Sequence, residues 1–192
     1  MKLIVGLGNP GRDYMGSRHN VGFFLIRELA RLNKFSLKKD AGSCSLSAKG
    51  RIRAQAAALA MPLTFMNLSG SCIKPLLKKY KIDSADFLVV CDDLDLELGR
   101  IKMRPHGSSG GHRGLQSIID NLGTQEFSRL RIGIGRPGKD LDTADYVLSA
   151  FGRDEKKQVK EVIDRGVDCC RTWLTEGVTV CMNTFNRGEK IK

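Results

Sequence analysis

Short runs of consecutive apolar residues alternate along this chain with longer stretches in which apolar residues return every three to four positions. The first kind predicts strands covered on both faces, the second helices with a single apolar stripe. Residues 2–5 read as a short buried strand and 87–91, Phe-Leu-Val-Val-Cys, as a central one. Residues 100–104 and 129–134 supply further strands around a helix from about 113 to 122. The stretch 43–60 reads as two strands joined through a turn at Lys49-Gly50-Arg51. A helix is predicted over 21–32, with Val21, Leu25, Leu29 and Leu32 on one face and Asn20 able to cap its start. Another is predicted over 69–80, with Ile73, Leu76, Leu77 and Tyr80 turned inward. The clearest comes last, where Val159, Val162, Ile163, Gly166, Val167, Cys170, Trp173 and Leu174 keep the helical period. No repeat or low-complexity linker interrupts the alternation. The expectation is therefore a single domain over residues 1–192, an α/β fold in three layers with a twisted mixed β-sheet flanked by helices.

Composition narrows the class. With 192 residues, 41% of them hydrophobic and 28% charged, the chain can bury a core of ordinary size. No apolar run approaches the roughly 18 to 20 residues of a membrane span. The opening Leu3-Ile4-Val5 is too short for a signal peptide, so a cytoplasmic protein without a membrane partner is expected. Thirty-two Lys and Arg against 21 Asp and Glu give a net charge of +11, which points to a polyanion, most simply nucleic acid, bound with counterion release. A merely basic surface is the bland alternative. The basic residues, among them Lys38, Lys39, Lys49, Arg51, Arg53, Lys78, Lys79, Arg100, Lys102, Arg129 and Arg136, are spread along the sequence, so a folded face and not a tail would carry the field. The six cysteines form no C-x-x-C pair and read as reduced, structural thiols.

Candidate chemistry lies in three separated stretches: Asn9 and His19, Met66 and Asn67, and Asp92. A histidine in a polar, non-helical stretch, with a carboxylate at the end of a buried strand, can assemble a base that activates water, which favours hydrolysis. Two motif matches carry less. The Gly6-Leu7-Gly8-Asn9-Pro10-Gly11 segment fits a dinucleotide fingerprint, but residues 12–19 intervene before the helix and no acid closes a second strand. The Gly107-Ser108-Ser109-Gly110-Gly111 segment fits a nucleophile elbow, but the only downstream histidine, His112, sits on the same loop. For Asp92-Asp93-Leu94-Asp95-Leu96-Glu97 three readings stand open: a Mg²⁺ site through substrate phosphates, a plain acidic turn, or Asp92 orienting His19 while Asp93 or Asp95 holds the turn.

Several blocks, taken together, resemble the bacterial-type peptidyl-tRNA hydrolase family. They are residues 2–11, Tyr14, Arg18-His19-Asn20-Val21-Gly22, residues 62–70 around Phe65-Met66-Asn67, residues 92–96, Gly110-Gly111-His112-Arg113-Gly114-Leu115, and Leu130-Arg131-Ile132-Gly133-Ile134-Gly135-Arg136-Pro137. The resemblance implies a monomeric α/β hydrolase, without metal or cofactor, that cleaves the ester joining a peptide to the 3′ end of tRNA and holds the acceptor stem, with no role on DNA. By position, His19 is the general base and Asp92 fixes its tautomer. Asn9 and Asn67 place the water and the peptide main chain, Met66 packs on the substrate and Tyr14 forms cleft wall. His112 lies in a glycine-rich lid, and Arg104 and Arg131 match positions that meet tRNA phosphate. One position departs: 113 is arginine where the family often has asparagine, exchanging a neutral amide for a cation that could meet RNA phosphate. Two rivals are a non-catalytic RNA-binding relative, which the intact Asn9, His19, Asn67 and Asp92 disfavour, and a nucleotide-dependent enzyme.

Overall fold

A computed structural model describes residues 1–138 and 141–187, so the domain expected over 1–192 reaches beyond the described residues at its end. Seven strands form one sheet in the order β2-β3-β4-β1-β5-β7-β6. They are β1 (Lys2–Gly6), β2 (Lys38–Asp40), β3 (Ser45–Ile52), β4 (Gln55–Pro62), β5 (Phe87–Asp93), β6 (Ile101–Arg104) and β7 (Ser128–Gly133). Strands β4, β1, β5 and β7 run parallel, while β2, β3 and β6 pair antiparallel at the edges, so the sheet is mixed as expected.

Helices cover both faces. On one, α1 (Val21–Leu32), α5 (Glu155–Glu176) and α6 (Val178–Phe185) enclose a core around Ile4, Leu25, Leu29, Leu130, Val167 and Trp173. On the other, α2 (Ser69–Tyr80) and α3 (Arg113–Leu122) cover Leu3, Val5, Ile73, Leu76, Val89 and Ile118. Alternate β1 residues face alternate layers because successive strand side chains point to opposite faces, so Leu3 and Val5 enter one core and Ile4 the other. The short helix α4 (Thr143–Leu148) packs Tyr146 and Val147 against the edge of the first core, its start capped by Asp142, which accepts from the amides of Ala144 and Asp145. No helix among the described residues is long and apolar enough to cross a membrane.

Several sequence expectations are corrected. The turn between β3 and β4 is not at Gly50, which lies inside β3, but at Arg53 and Ala54, both left-handed. Gly50 lies under the Phe35 ring, which a Cβ there would meet at 2.6 Å. Leu32, the final residue of α1, is 42% exposed and does not share the buried face of Val21, Leu25 and Leu29. Asn20 precedes α1 but its side chain does not cap it; it bonds the loop after β1 instead. Asp92 lies within β5 and not past it, and the helix carrying the clearest period, α5, is not the last, since α6 follows it. The six cysteines are free, and only Cys44 is exposed.

What positions the site is a close approach between two glycines. A Cβ on Gly6 would lie 2.2 Å from the carbonyl oxygen of Gly22, and one on Gly22 would lie 2.6 Å from backbone atoms of Leu7 and Val90. Without side chains at both, α1 closes onto the ends of β1 and β5, and the residues just before the helix reach the end of β5. Gly6, the last residue of β1, is therefore accounted for by the packing of α1.

Candidate active site

The carboxyl ends of the parallel strands bound a cleft of about 680 Å³, where ligands commonly bind in open α/β sheets. Asn9, Tyr14, His19, Met66, Asn67, Asp92, His112, Arg113 and Arg131 all line it. Arg104 does not: it sits half-buried on the edge strand β6, paired in register with Arg129.

Asp92, buried near the end of β5, is the centre of the polar cluster. Its Oδ1 lies 2.7 Å from His19 Nδ1 and 3.0 Å from His112 Nε2. Burial pushes the Asp92 carboxyl up, but the positive charge that the two imidazoles carry when protonated, together with their hydrogen bonds, outweighs burial and holds it well below the usual carboxylate range. It is therefore an anion at neutral pH.

The two imidazoles are not equivalent. His112 Nδ1 accepts from the backbone amides of Gly114 at 3.1 Å and Leu115 at 3.2 Å, capping α3. That nitrogen is unprotonated, so the proton is on Nε2 and is donated to Asp92; both ring nitrogens are committed. His19 donates Nδ1–H to the same oxygen, and its Nε2 has no partner among the described residues. Of the two imidazoles, His19 is the one that offers a free basic nitrogen to the cleft among the described residues.

The ligand atoms of His19, Asp92 and His112 lie within 4.8 Å of one another, so the set must be tested as a metal site. For His112 Nε2 to ligate, its proton would have to move to Nδ1, against two amide N–H groups aimed at that atom. The donor set fits shared protons better than a cation. The other acids are also occupied. Asp93 pairs with Arg131 and its Oδ1 accepts from the Asp95 amide at 2.9 Å, while Asp95 pairs with Arg136. Of the three readings left open for this stretch, the geometry favours Asp92 orienting His19 and Asp93 holding the turn.

The amides are placed by backbone contacts. Asn9 Oδ1 accepts from the Met66 amide at 2.7 Å, which leaves the Asn9 NH₂ as a donor only. Asn20 fixes this loop, its Oδ1 accepting from the Asn9 amide and its Nδ2 donating to the carbonyls of Asn9 and Tyr14. Asn67 is exposed, and its side chain makes no hydrogen bond among the described residues. The buried Met66 side chain packs against Gly114, and Phe65, 56% exposed, meets Tyr14 edge-on with ring centroids 6.4 Å apart. Arg18, buried beside His19, grips Glu155 through two bonds of 2.9 and 2.7 Å and stacks between Tyr146 and Phe151. It ties α4, one cleft wall, to the His19 segment.

Sequence reasoning missed Asn20's role, Phe65, and the Arg18 to Glu155 clamp. The first two stood inside quoted blocks; the clamp joins positions 137 residues apart and left no local signal.

A model of the peptidyl-tRNA hydrolase family matches residues 3–192. The chain is 47% identical over 186 residues to peptidyl-tRNA hydrolase of Bacillus thuringiensis subsp. konkukian, covering 97% of this chain and all of that one. It is 44% identical to the Bacillus subtilis protein of the same name, covering 97% and 98%. The crystal structure of peptidyl-tRNA hydrolase from Acinetobacter baumannii superposes with a TM-score of 0.92 at 36% identity, over 98% of this chain and 96% of that one.

Proposed function

This chain belongs to the peptidyl-tRNA hydrolase family, and on that premise we propose that it hydrolyses the ester between a peptide and the 3′ end of tRNA with His19 as the general base. His19 Nε2 takes a proton from water, and the resulting hydroxide attacks the ester carbonyl. Asp92 holds Nδ1–H and stabilises the imidazolium as it forms. The Asn9 NH₂, left free by its bond to Met66, donates to the developing oxyanion. The imidazolium then returns the proton to the ribose oxygen as the ester bond breaks. An ester is electrophilic enough for a poised base and amide donors to suffice without a covalent nucleophile.

Asn67 pairs with the main chain of the peptide, and Tyr14, Met66 and Phe65 give its side chains an apolar wall. His112 orients Asp92 and ties it to the start of α3. Arg104 and Arg131 meet tRNA phosphate along the acceptor stem, Arg131 by the guanidinium edge not turned to Asp93. The chain acts as one domain and as a monomer in the cytoplasm, on RNA and not on DNA or a membrane, with neither cofactor nor metal.

One observation carries the reading: of two imidazoles on one buried carboxylate, a single ring nitrogen is free, and it faces the cleft. The test is release of the blocked amino acid from N-acetyl-aminoacyl-tRNA by purified protein. Release by the native chain and its loss in His19→Ala is the expected result, and undiminished release by the variant would overturn the assignment of the base.

A further inference from the structure

Three arginines and four carboxylates line the cleft: Arg113, Arg131 and Arg136, with Asp92, Asp93, Asp95 and Asp142. All but one are answered within the protein. Asp92 holds two histidines, Asp93 pairs with Arg131, Asp95 with Arg136, and Asp142 caps α4. Arg113 alone is exposed without an ion pair, side-chain hydrogen bond or stacked ring among the described residues. It is also the first residue of α3, where the positive end of the helix dipole disfavours a cation by about 0.3–1 kcal/mol. An arginine with its donors unspent, kept at an unfavourable position in a cleft whose other charged groups each have a partner, points to an anion brought by the ligand.

We propose that Arg113 receives the phosphodiester on the 5′ side of the substrate's terminal nucleoside and so registers the ester against His19. The proposal rests on the ester-hydrolysis reading of this cleft. In such a substrate the anion nearest the scissile ester is that phosphodiester, one ribose away, and Arg113 directly follows His112, which shares the Asp92 oxygen with the base. Arg131 and Arg136 are less suited to this place, because each already turns part of its guanidinium to a carboxylate, whereas Arg113 has every donor free among the described residues. An arginine at this position can also hold phosphate bidentately, which fixes geometry as well as charge.

The experiment is a cycle of two enzymes and two substrates: the native chain and Arg113→Asn, each with an N-acetyl-aminoacyl ester of the trinucleotide CCA whose last linkage is either a natural phosphodiester or a neutral methylphosphonate. In the native chain, neutralising the linkage should lower kcat/KM about tenfold, the scale of one charge-assisted contact. In Arg113→Asn the two substrates should differ by less than about twofold, and Arg113→Lys should restore part of the difference. If the two losses are independent, so that the variant still discriminates the linkages as the native chain does, the proposal is wrong. His19→Ala, run on both substrates, separates the readings: its failure to slow either would overturn the base assignment while leaving the Arg113 result to stand on its own.

Discussion

Asp92 and Asp95 stand three residues apart at one strand end, yet they inhabit different media. Asp92 is 4% exposed between two imidazoles, whereas the Asp95 side chain is 59% exposed and meets Arg136 in solvent. The floor of the cleft is thus a low-dielectric site in which each proton has a defined place, and the rim is a screened surface of ion pairs. A pair like Asp95 and Arg136 contributes about 0–1 kcal/mol, while an unpaired charge at the depth of Asp92 would cost several times that. The floor fixes protonation and the rim fixes orientation, so substitutions in the two regions should fail in different ways.

The largest effect is expected at the floor. His19→Ala should slow hydrolysis by about a hundredfold or more while tRNA binding persists, since the base acts only in the reaction. Asp92→Asn should follow at a comparable scale because the amide reverses the tautomer preference, and Asp95→Asn at the rim should change the rate less than about threefold. Equal losses for the two acids, or loss with EDTA and rescue by Mg²⁺, would abolish the distinction and give the acidic stretch to a metal. His112→Ala should lie between, about tenfold down, because it removes one of two donors to Asp92 and the cap of α3.

The lowered Asp92 carboxyl makes a statement about pH. A depressed folded-state value means that the stability it contributes is fully present above the ordinary carboxylate value of about 3.9 and is lost as pH falls through the lower folded one. Asp92 should therefore add no step to stability or rate between about pH 5 and 9. Thermal melts and kcat/KM across pH 3 to 9 provide the check, with Asp92→Asn as reference. A carboxylate step above about pH 5 that disappears in the variant would show that the floor is wetter than its burial indicates.

The same contrast explains what the sequence could disclose. Helices α2 and α3 occupy the predicted 69–80 and 113–122 because helical period, left-handed or glycine termini and apolar faces agree locally. β5 was legible as an unbroken apolar run. The turn of the β3 and β4 hairpin was not, because Arg53 and Ala54 lack the residue types that usually mark a left-handed turn, while Gly50 offered a false one. α6 was missed because its eight residues bury one side chain fully, Cys181, with Val178, Met182 and Phe185 only partly covered, too short a stripe to show a helical period. In the site, the residue types around the base were readable by resemblance, but Asn20 was read as a cap since nothing local shows that its amide reaches Asn9 and Tyr14. Asn20→Ala should confirm its bridging place by lowering stability about 1–3 kcal/mol, as expected for buried polar groups left unpaired.

The smallest and most selective effects belong to the rim and to the exposed amide. A +11 chain should bind any tRNA through phosphates, so charge would supply affinity without telling peptidyl-tRNA from aminoacyl-tRNA. Discrimination has to arise where the substrates differ, at the α-nitrogen: an amide in one, an ammonium in the other. Asn67, exposed in the cleft with its amide unspent, can pair with a peptide N–H and C=O but gives an ammonium poor solvation. Arg104→Ala and Arg131→Ala should each weaken binding to all tRNAs a few-fold and reduce the salt slope by about one, whereas Asn67→Ala should leave the slope and erode the preference for blocked over free aminoacyl esters. Arg131 gives the sharper test, because its removal also strands the buried Asp93 carboxylate, and a drop in melting temperature should accompany the loss of affinity. Were the arginine variants to shift the blocked-to-free preference while Asn67→Ala moved only the salt slope, recognition of the peptide would lie in the ion pairs of the rim, and the division between a chemical floor and an orienting rim would have to be redrawn.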